Sequence, residues 1–103
     1  MIKIEELKAL ANNDGMTLVN GKAVTYKTGY QVATEGKEAT TAEEALKLIE
    51  AYNGDCGIWC SEGIYYIDKS RRVNTLKEAL RIGRECNQQS ILKWADMSLV
   101  WCN

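Results

Sequence analysis

The stretch GYQVATEGKEATTAEEALKLIEAYNGDCGIWCSE, residues 29–62, aligns without a gap on the stretch that follows it, GIYYIDKSRRVNTLKEALRIGRECNQQSILKWAD, residues 63–96. Four identical positions cluster within one short segment: Thr41/Thr75, Glu44/Glu78, Ala45/Ala79 and Leu46/Leu80. Gly29/Gly63 and Asn53/Asn87 are also identical. Self-similarity at one fixed period predicts repeated supersecondary units, here 34 residues long.

Each aligned segment contains one helix followed by two β-rich stretches. Thr41 and Glu44 have the spacing of a capping box, in which both side chains satisfy free N–H groups at a helix start, and Thr75 and Glu78 repeat it. After the first helix come CGIWC and IYYID, joined by SEG; after the second come SILKW and SLVWC, joined by ADM. This order predicts a helix and a hairpin in each unit.

The first third of the chain fits the same plan. Residues 2–13 have helical periodicity, and MTLV and KAVTY flank the turn dipeptide Asn20-Gly21, with GYQVA after them. We therefore predict an α+β fold: an antiparallel sheet of about six strands with three helices on one face, built from α-β-β repeats of about 34 residues. The alternative is an α+β sandwich in which the first unit has diverged. Residues 1–103 are predicted to form a single domain, with units of approximately 1–34, 35–68 and 69–103.

Composition removes several classes of function. The chain has 103 residues, a formal net charge of −1 and no histidine, the commonest general base. It has no glycine-rich phosphate loop and no serine or cysteine with a histidine base, so we predict that it is not an enzyme. No apolar run is long enough to span a membrane, and we expect a cytoplasmic protein with no membrane partner.

The four cysteines are the residues most typical of a metal site. Cys56 and Cys60 would stand about 13 Å apart along a strand. Tetrahedral zinc needs its sulfurs within roughly 4 Å of one another. We therefore favour buried, inert thiols, with no metal and no cofactor. Zinc remains an alternative that would use Cys56, Cys86 and Cys102 with Cys60, and a Cys86–Cys102 bond or redox use is a further one.

Aromatic residues indicate a binding surface. We expect Tyr65, Ile67, Leu99 and Trp101 to alternate on the face opposite the core, joined by Trp59. Exposed apolar patches on small proteins tend to be interaction surfaces, and Trp, Tyr and Arg are their usual anchors. The competing interpretation is a curled sheet that buries these side chains in a second small core. The predicted partner-binding residues are Trp59, Tyr65, Arg71, Arg72 and Trp101.

Basic residues support a second function. KSRRV, residues 69–73, is followed by Lys77, Arg81 and Arg84. One hypothesis is that the loop and helix over 69–84 contact nucleic acid. Solvated helix charges, or docking onto a protein of matching charge, explain the same residues.

At GIYYIDKS and NQQSILKW, with the short helices before them, the chain resembles small proteins of phages and mobile elements, among them the anti-CRISPR proteins that inhibit type II CRISPR nucleases. The resemblance implies stoichiometric inhibition by occupying a protein surface. The preferred hypothesis is thus a non-catalytic, phage-derived protein-binding inhibitor of a bacterial defence nuclease such as a CRISPR effector. The alternatives are a nucleic-acid-binding module and a zinc-stabilised interaction domain.

Overall fold

The computed structural model describes residues 2–102. Within that range the chain forms three helices: α1 (Ile4–Lys8), α2 (Ala42–Ala51) and α3 (Leu76–Glu85). The same range forms seven strands: β1 (Asp14–Val19), β2 (Lys22–Val24), β3 (Tyr30–Ala39), β4 (Cys56–Ser61), β5 (Ile64–Val73), β6 (Ser90–Lys93) and β7 (Ser98–Trp101). The sheet order is β2-β1-β4-β5-β3-β6-β7. The predicted α+β class with an antiparallel sheet is confirmed.

The seven strands exceed the predicted count of about six, because β3 is an additional ten-residue strand between the first hairpin and α2. Its first residues pair with β6, Tyr30 opposite Lys93 and Gln31 opposite Leu92. Residues 35–38 are all exposed and mostly charged. They lack the apolar alternation of a half-buried strand, which is why the sequence pattern missed most of β3.

The chain divides into two compact units, which we describe separately. Unit 1 comprises Met1–Val24 and Gly36–Lys69, and unit 2 comprises Thr25–Glu35 and Ser70–Asn103. The long strands β3 and β5 each contribute one segment to either unit. The single domain with three repeat units of approximately 1–34, 35–68 and 69–103 stays a prediction.

In unit 1, helices α1 and α2 pack on the strands through one apolar cluster. Its fully buried members include Leu7, Leu18, Ile49 and Ile67. The Thr41 side chain caps α2 by accepting a hydrogen bond from the Glu44 N–H at 3.1 Å, as its spacing predicts.

Helix α1 is shorter than the predicted span of residues 2–13. The segment after it is tied to the end of β4 instead of continuing the helix. The Asn13 N–H donates to the Cys60 carbonyl at 2.7 Å, and the Asn12 side chain accepts from the Glu62 N–H at 2.7 Å. Asn13 itself has φ 62°, a left-handed conformation that ends helical geometry.

In unit 2, α3 packs on β3, β5, β6 and β7 residues through a second cluster. Its buried members are Val32, Val73, Ala79, Ile82, Ile91 and Cys102. Gly83 allows the close approach: a Cβ there would lie 2.7 Å from the Cys102 sulfur. Thr75 caps α3 through the Glu78 N–H at 3.3 Å, in parallel with Thr41.

The 34-residue spacing holds for α2 and α3 and for β3 and β5, whose bounds correspond residue by residue. The correspondence fails in the strands that follow these helices, β4 and β6, whose aligned side chains point in different directions. Ile58 is buried on β4, whereas on β6 the buried residue is Ile91 and the aligned Leu92 is half-buried. Gly54 adopts a second left-handed conformation after Asn53, but Gln88 after Asn87 does not. The two strands therefore begin in different phase, and the aligned residues Ile58 and Leu92 do not share an inward position.

Candidate protein-binding face

The β4–β5 hairpin determines which aromatic residues of unit 1 reach solvent. Its turn consists of Glu62 and Gly63, with φ 51° and 79°. Two consecutive left-handed residues form a type I′ turn, whose twist matches that of the two strands it connects. Ser61 consequently pairs with Ile64, Cys60 with Tyr65, and Trp59 with Tyr66. Directly opposed residues share a face, so Tyr66 accompanies Trp59.

The prediction that Tyr65 and Ile67 lie opposite the core is wrong. Ile67 is fully buried in the unit 1 core. Tyr65 is half-buried against the same core, and its hydroxyl donates to the Leu7 carbonyl at 3.1 Å. The sequence pattern suggested a three-residue loop, SEG, but the loop has two residues, and a slip of one residue reverses every side chain.

Trp59 lies on the opposite face and is 46% exposed. Gly15 of β1 is its neighbour across one strand pair, and Tyr66 is its neighbour across the other. A Cβ on Gly15 would lie 3.0 Å from the Trp59 ring. The indole therefore rests on bare backbone at Gly15, which fixes the ring while leaving its outer side in water.

The adjacent row of the same face contains Thr17, Gly57 and Asp68, which are paired directly across β1, β4 and β5. Gly57 has no side chain, so this row forms a recess beside the aromatic pair. The recess is about 7 Å from the Trp59 row, since two strand residues separate them. We call this surface, made by Gly15, Thr17, Gly57, Trp59, Tyr66 and Asp68, the Trp59 face.

Asp68 is the charged group of the Trp59 face. Its carboxylate lies over the backbone of Gly36, where a Cβ would collide with it. Burial raises the pKa of Asp68 above its ordinary value, and among residues 2–102 no charge or hydrogen bond opposes that shift. A half-buried carboxylate without a partner is a group that a cation would stabilise.

The predicted basic residues belong to unit 2, and Arg72 is already engaged there. Its guanidinium donates to the Thr28 carbonyl at 3.1 Å, the Thr28 hydroxyl at 3.0 Å and the Asn74 side chain at 2.7 Å. It also lies 5.1 Å from the centre of the Tyr26 ring. Arg72 thus connects Tyr26 and Thr28 to Asn74 within unit 2. Arg71, by contrast, is exposed.

Two of the three basic residues of α3, Arg81 and Arg84, also have partners within unit 2. Arg81 forms an ion pair with Glu85 at 3.2 Å, and Arg84 donates to the Cys102 carbonyl. The open groove along the helix contains two carboxylates, Glu78 and Glu85, among its cations. This mixture weakens the attraction for phosphate that the sequence suggested.

Trp101 and Leu99 of β7 are 64% and 57% exposed. Both were expected on an exposed face. They belong to unit 2, together with Arg71 and Arg72, whereas Trp59 and Tyr65 belong to unit 1. The predicted binding residues are therefore distributed over both units.

The cysteines are free and mostly buried. Cys56, Cys60 and Cys102 are buried, and Cys86 is half-buried. Burial, assisted by the charges of Asp55 and Asp68, raises the pKa of the Cys56 thiol to about 12, so it stays protonated and unreactive at neutral pH. Across residues 2–102, no three His, Cys, Asp or Glu side chains are grouped closely enough to hold a metal ion. Metal analysis of the purified protein tests the zinc alternative.

Tyr66 and Asp68, which complete the Trp59 face, were not among the predicted binding residues. The Glu62-Gly63 dipeptide could have indicated them, because a two-residue turn closing on Ser61 and Ile64 places Tyr66 and Asp68 on the face of Trp59. The small neighbours Gly15 and Gly57 become meaningful only once β1 is paired beside β4.

In comparisons with known proteins, no family model, curated protein or solved structure matches this chain. None of the helices within residues 2–102 has the length and apolarity needed to cross a membrane. The chain has an α+β fold, and its unit 1 carries an exposed aromatic and acidic surface, the Trp59 face.

Proposed function

We propose that this protein is a non-catalytic protein-binding inhibitor whose Trp59 face binds a basic segment of a bacterial defence nuclease, such as a CRISPR effector. In this proposal the protein is phage-derived and acts in the cytoplasm of the bacterial cell. The observation that carries the proposal is the half-buried, unpartnered Asp68 carboxylate beside an exposed Trp59 and its neighbour Tyr66.

The chemistry of the Trp59 face suits an arginine or lysine side chain. A guanidinium placed over Gly57 would meet the Asp68 carboxylate on one side and the Trp59–Tyr66 pair on the other. Charge-assisted hydrogen bonds to a carboxylate are about twice as strong as neutral ones. Stacking of a cation on an exposed aromatic ring adds about 0.5–1 kcal/mol.

A nuclease would supply an arginine or lysine side chain of this kind. Proteins that grip nucleic acid present arginine and lysine side chains to phosphate groups. A carboxylate that binds one of these arginine or lysine side chains competes with the nucleic acid for it. The inhibitor would then work in stoichiometric amounts and need no catalytic group of its own.

The experiment is capture from a bacterial lysate containing a type II CRISPR nuclease, using the immobilised wild-type chain, Trp59→Ala and Glu38→Gln. We expect the wild type and Glu38→Gln to retain the nuclease, and Trp59→Ala to lose most of it because the aromatic anchor is gone. Glu38 is an exposed carboxylate on β3 and serves as the control. Retention of nucleic acid alone, or of a nuclease that Trp59→Ala binds equally well, would contradict the proposal.

Asp68 should lower stability in the free protein, as expected of a charge kept for binding. Its pKa is raised by burial, so the folded state binds a proton more tightly than the unfolded state. Asp68→Asn is therefore expected to raise the melting temperature at pH 7. The advantage should shrink as the pH falls through the folded pKa and vanish below the ordinary value near 3.8. Thermal unfolding of both chains from pH 7 to about pH 3 measures this difference; Glu38→Gln should lack the gain at pH 7.

A further inference from the structure

Strand β7 is an edge strand of the sheet, and its outward-facing backbone groups can pair with another strand. The Cys102 N–H donates to the Gln89 carbonyl at 2.9 Å, toward β6. Backbone groups alternate in direction along a strand, so Ser98 and Val100 also face β6. The N–H and C=O groups of Leu99 and Trp101 consequently face the free side of β7. We call this side the β7 edge.

The side chains along the β7 edge are apolar and carry no charge. Leu99 and Trp101 project on one face and are largely exposed. The opposite end of the sheet order, β2, has three residues and begins with an exposed lysine, Lys22. Lysines on an edge strand discourage edge-to-edge pairing, and the four residues of β7 include no lysine or other charged side chain.

We propose that β7 pairs with β7 of a second copy of this chain, antiparallel and about a two-fold axis at Val100. This register opposes Leu99 to Trp101 of the second copy, and Trp101 to Leu99 of the second copy. Both pairs form hydrogen bonds, since these are the residues whose backbone faces outward. The four apolar side chains then cover one another on one face. The contact is self-complementary and closes at two copies.

Charge at the strand ends favours the same arrangement. Asp96 lies in the loop before β7, and Arg84 reaches the Cys102 carbonyl after it. Antiparallel pairing brings the Asp96 end of one strand beside the Arg84 end of the other, twice by symmetry. The area is modest: two short strands with their exposed Leu99, Trp101 and Met97 side chains bury less than the roughly 1,200 Å² of a standard interface. We therefore expect a reversible dimer with micromolar affinity.

The test is sedimentation equilibrium of the full chain between about 1 and 500 µM, a range that covers weak dimers. Wild type should shift from monomer to dimer, and Trp101→Lys and Leu99→Lys should each raise the dimer dissociation constant about tenfold or more, because like charges would then approach across the two-fold axis. Trp59→Lys is the matched control, an exposed tryptophan of unit 1.

A chain that remains monomeric throughout this range overturns the proposal, as does a series of growing oligomers. A dimer that survives both lysine substitutions, or that Trp59→Lys dissociates, also overturns it. Circular dichroism confirms that each variant is folded; should one lysine variant unfold, the other decides the result. Because Trp59→Lys removes the nuclease-binding anchor while leaving β7 intact, failure of the dimer and failure of the proposed function are separately visible.

Discussion

Alanine in place of Gly54 is expected to lower the free energy of unfolding by about 3 kcal/mol or more. Gly54 follows α2 with φ 74°, a conformation that side chains rarely adopt. Its N–H donates to the Ile49 carbonyl at 2.9 Å and its carbonyl accepts from the Gly21 N–H at 3.0 Å, so it ends the helix and holds the β1–β2 turn. A Cβ at this position would lie 2.8 Å from the Gly21 Cα and still closer to the Gly21 nitrogen.

Gly63→Ala is the matched control for this substitution. Gly63 has a similar φ of 79°, but a Cβ there meets no atom within 4 Å. It should therefore cost only the conformational term, about 1 kcal/mol. Urea unfolding of the three chains gives both values. Equal losses for the two variants would show that the contact at Gly21 is not tight.

The second large effect is expected at Ile67, whose replacement by alanine should cost about 3 kcal/mol. Ile67 is fully buried opposite Ile58, and truncation leaves a cavity in the unit 1 core. Its neighbour Tyr66 points to the other face, so Tyr66→Ala should cost about 1 kcal/mol, mainly through lost cross-strand contact with Trp59. Denaturant unfolding distinguishes the two. A larger loss for Tyr66→Ala than for Ile67→Ala would mean that the β4–β5 register is shifted by one residue.

The two long helices, α2 and α3, were predictable because short, local interactions set them. Thr41 and Thr75 cap the two long helices as their spacing indicates, and Asn53 and Asn87 follow in left-handed conformations. The Asn20-Gly21 turn was equally recognisable, since few residues accept its backbone angles. These features depend on neighbours a few residues away.

Features that depend on strand pairing were less accessible. Strand β3 lacks apolar alternation, and its pairing with β6 depends on contacts distant in sequence. The direction of the side chains on β5 depended on whether the β4–β5 turn has two or three residues. The direction of the side chains on β6 depended on the conformation of Gln88. For the binding face, the exposed Trp59 was predicted, but Tyr66 and Asp68 required the correct register. An error of one residue exchanged Tyr65 for Tyr66.

The proposed function requires that the Trp59 face bind a basic side chain through the Asp68 carboxylate. The most direct measurement is the affinity of the captured nuclease for wild type, Asp68→Asn and Asp68→Lys, each shown by thermal unfolding to be folded. We expect a loss of about tenfold for Asp68→Asn and about a hundredfold or more for Asp68→Lys, since a lysine would repel the cation that the face accepts. Equal affinity for all three chains would contradict it.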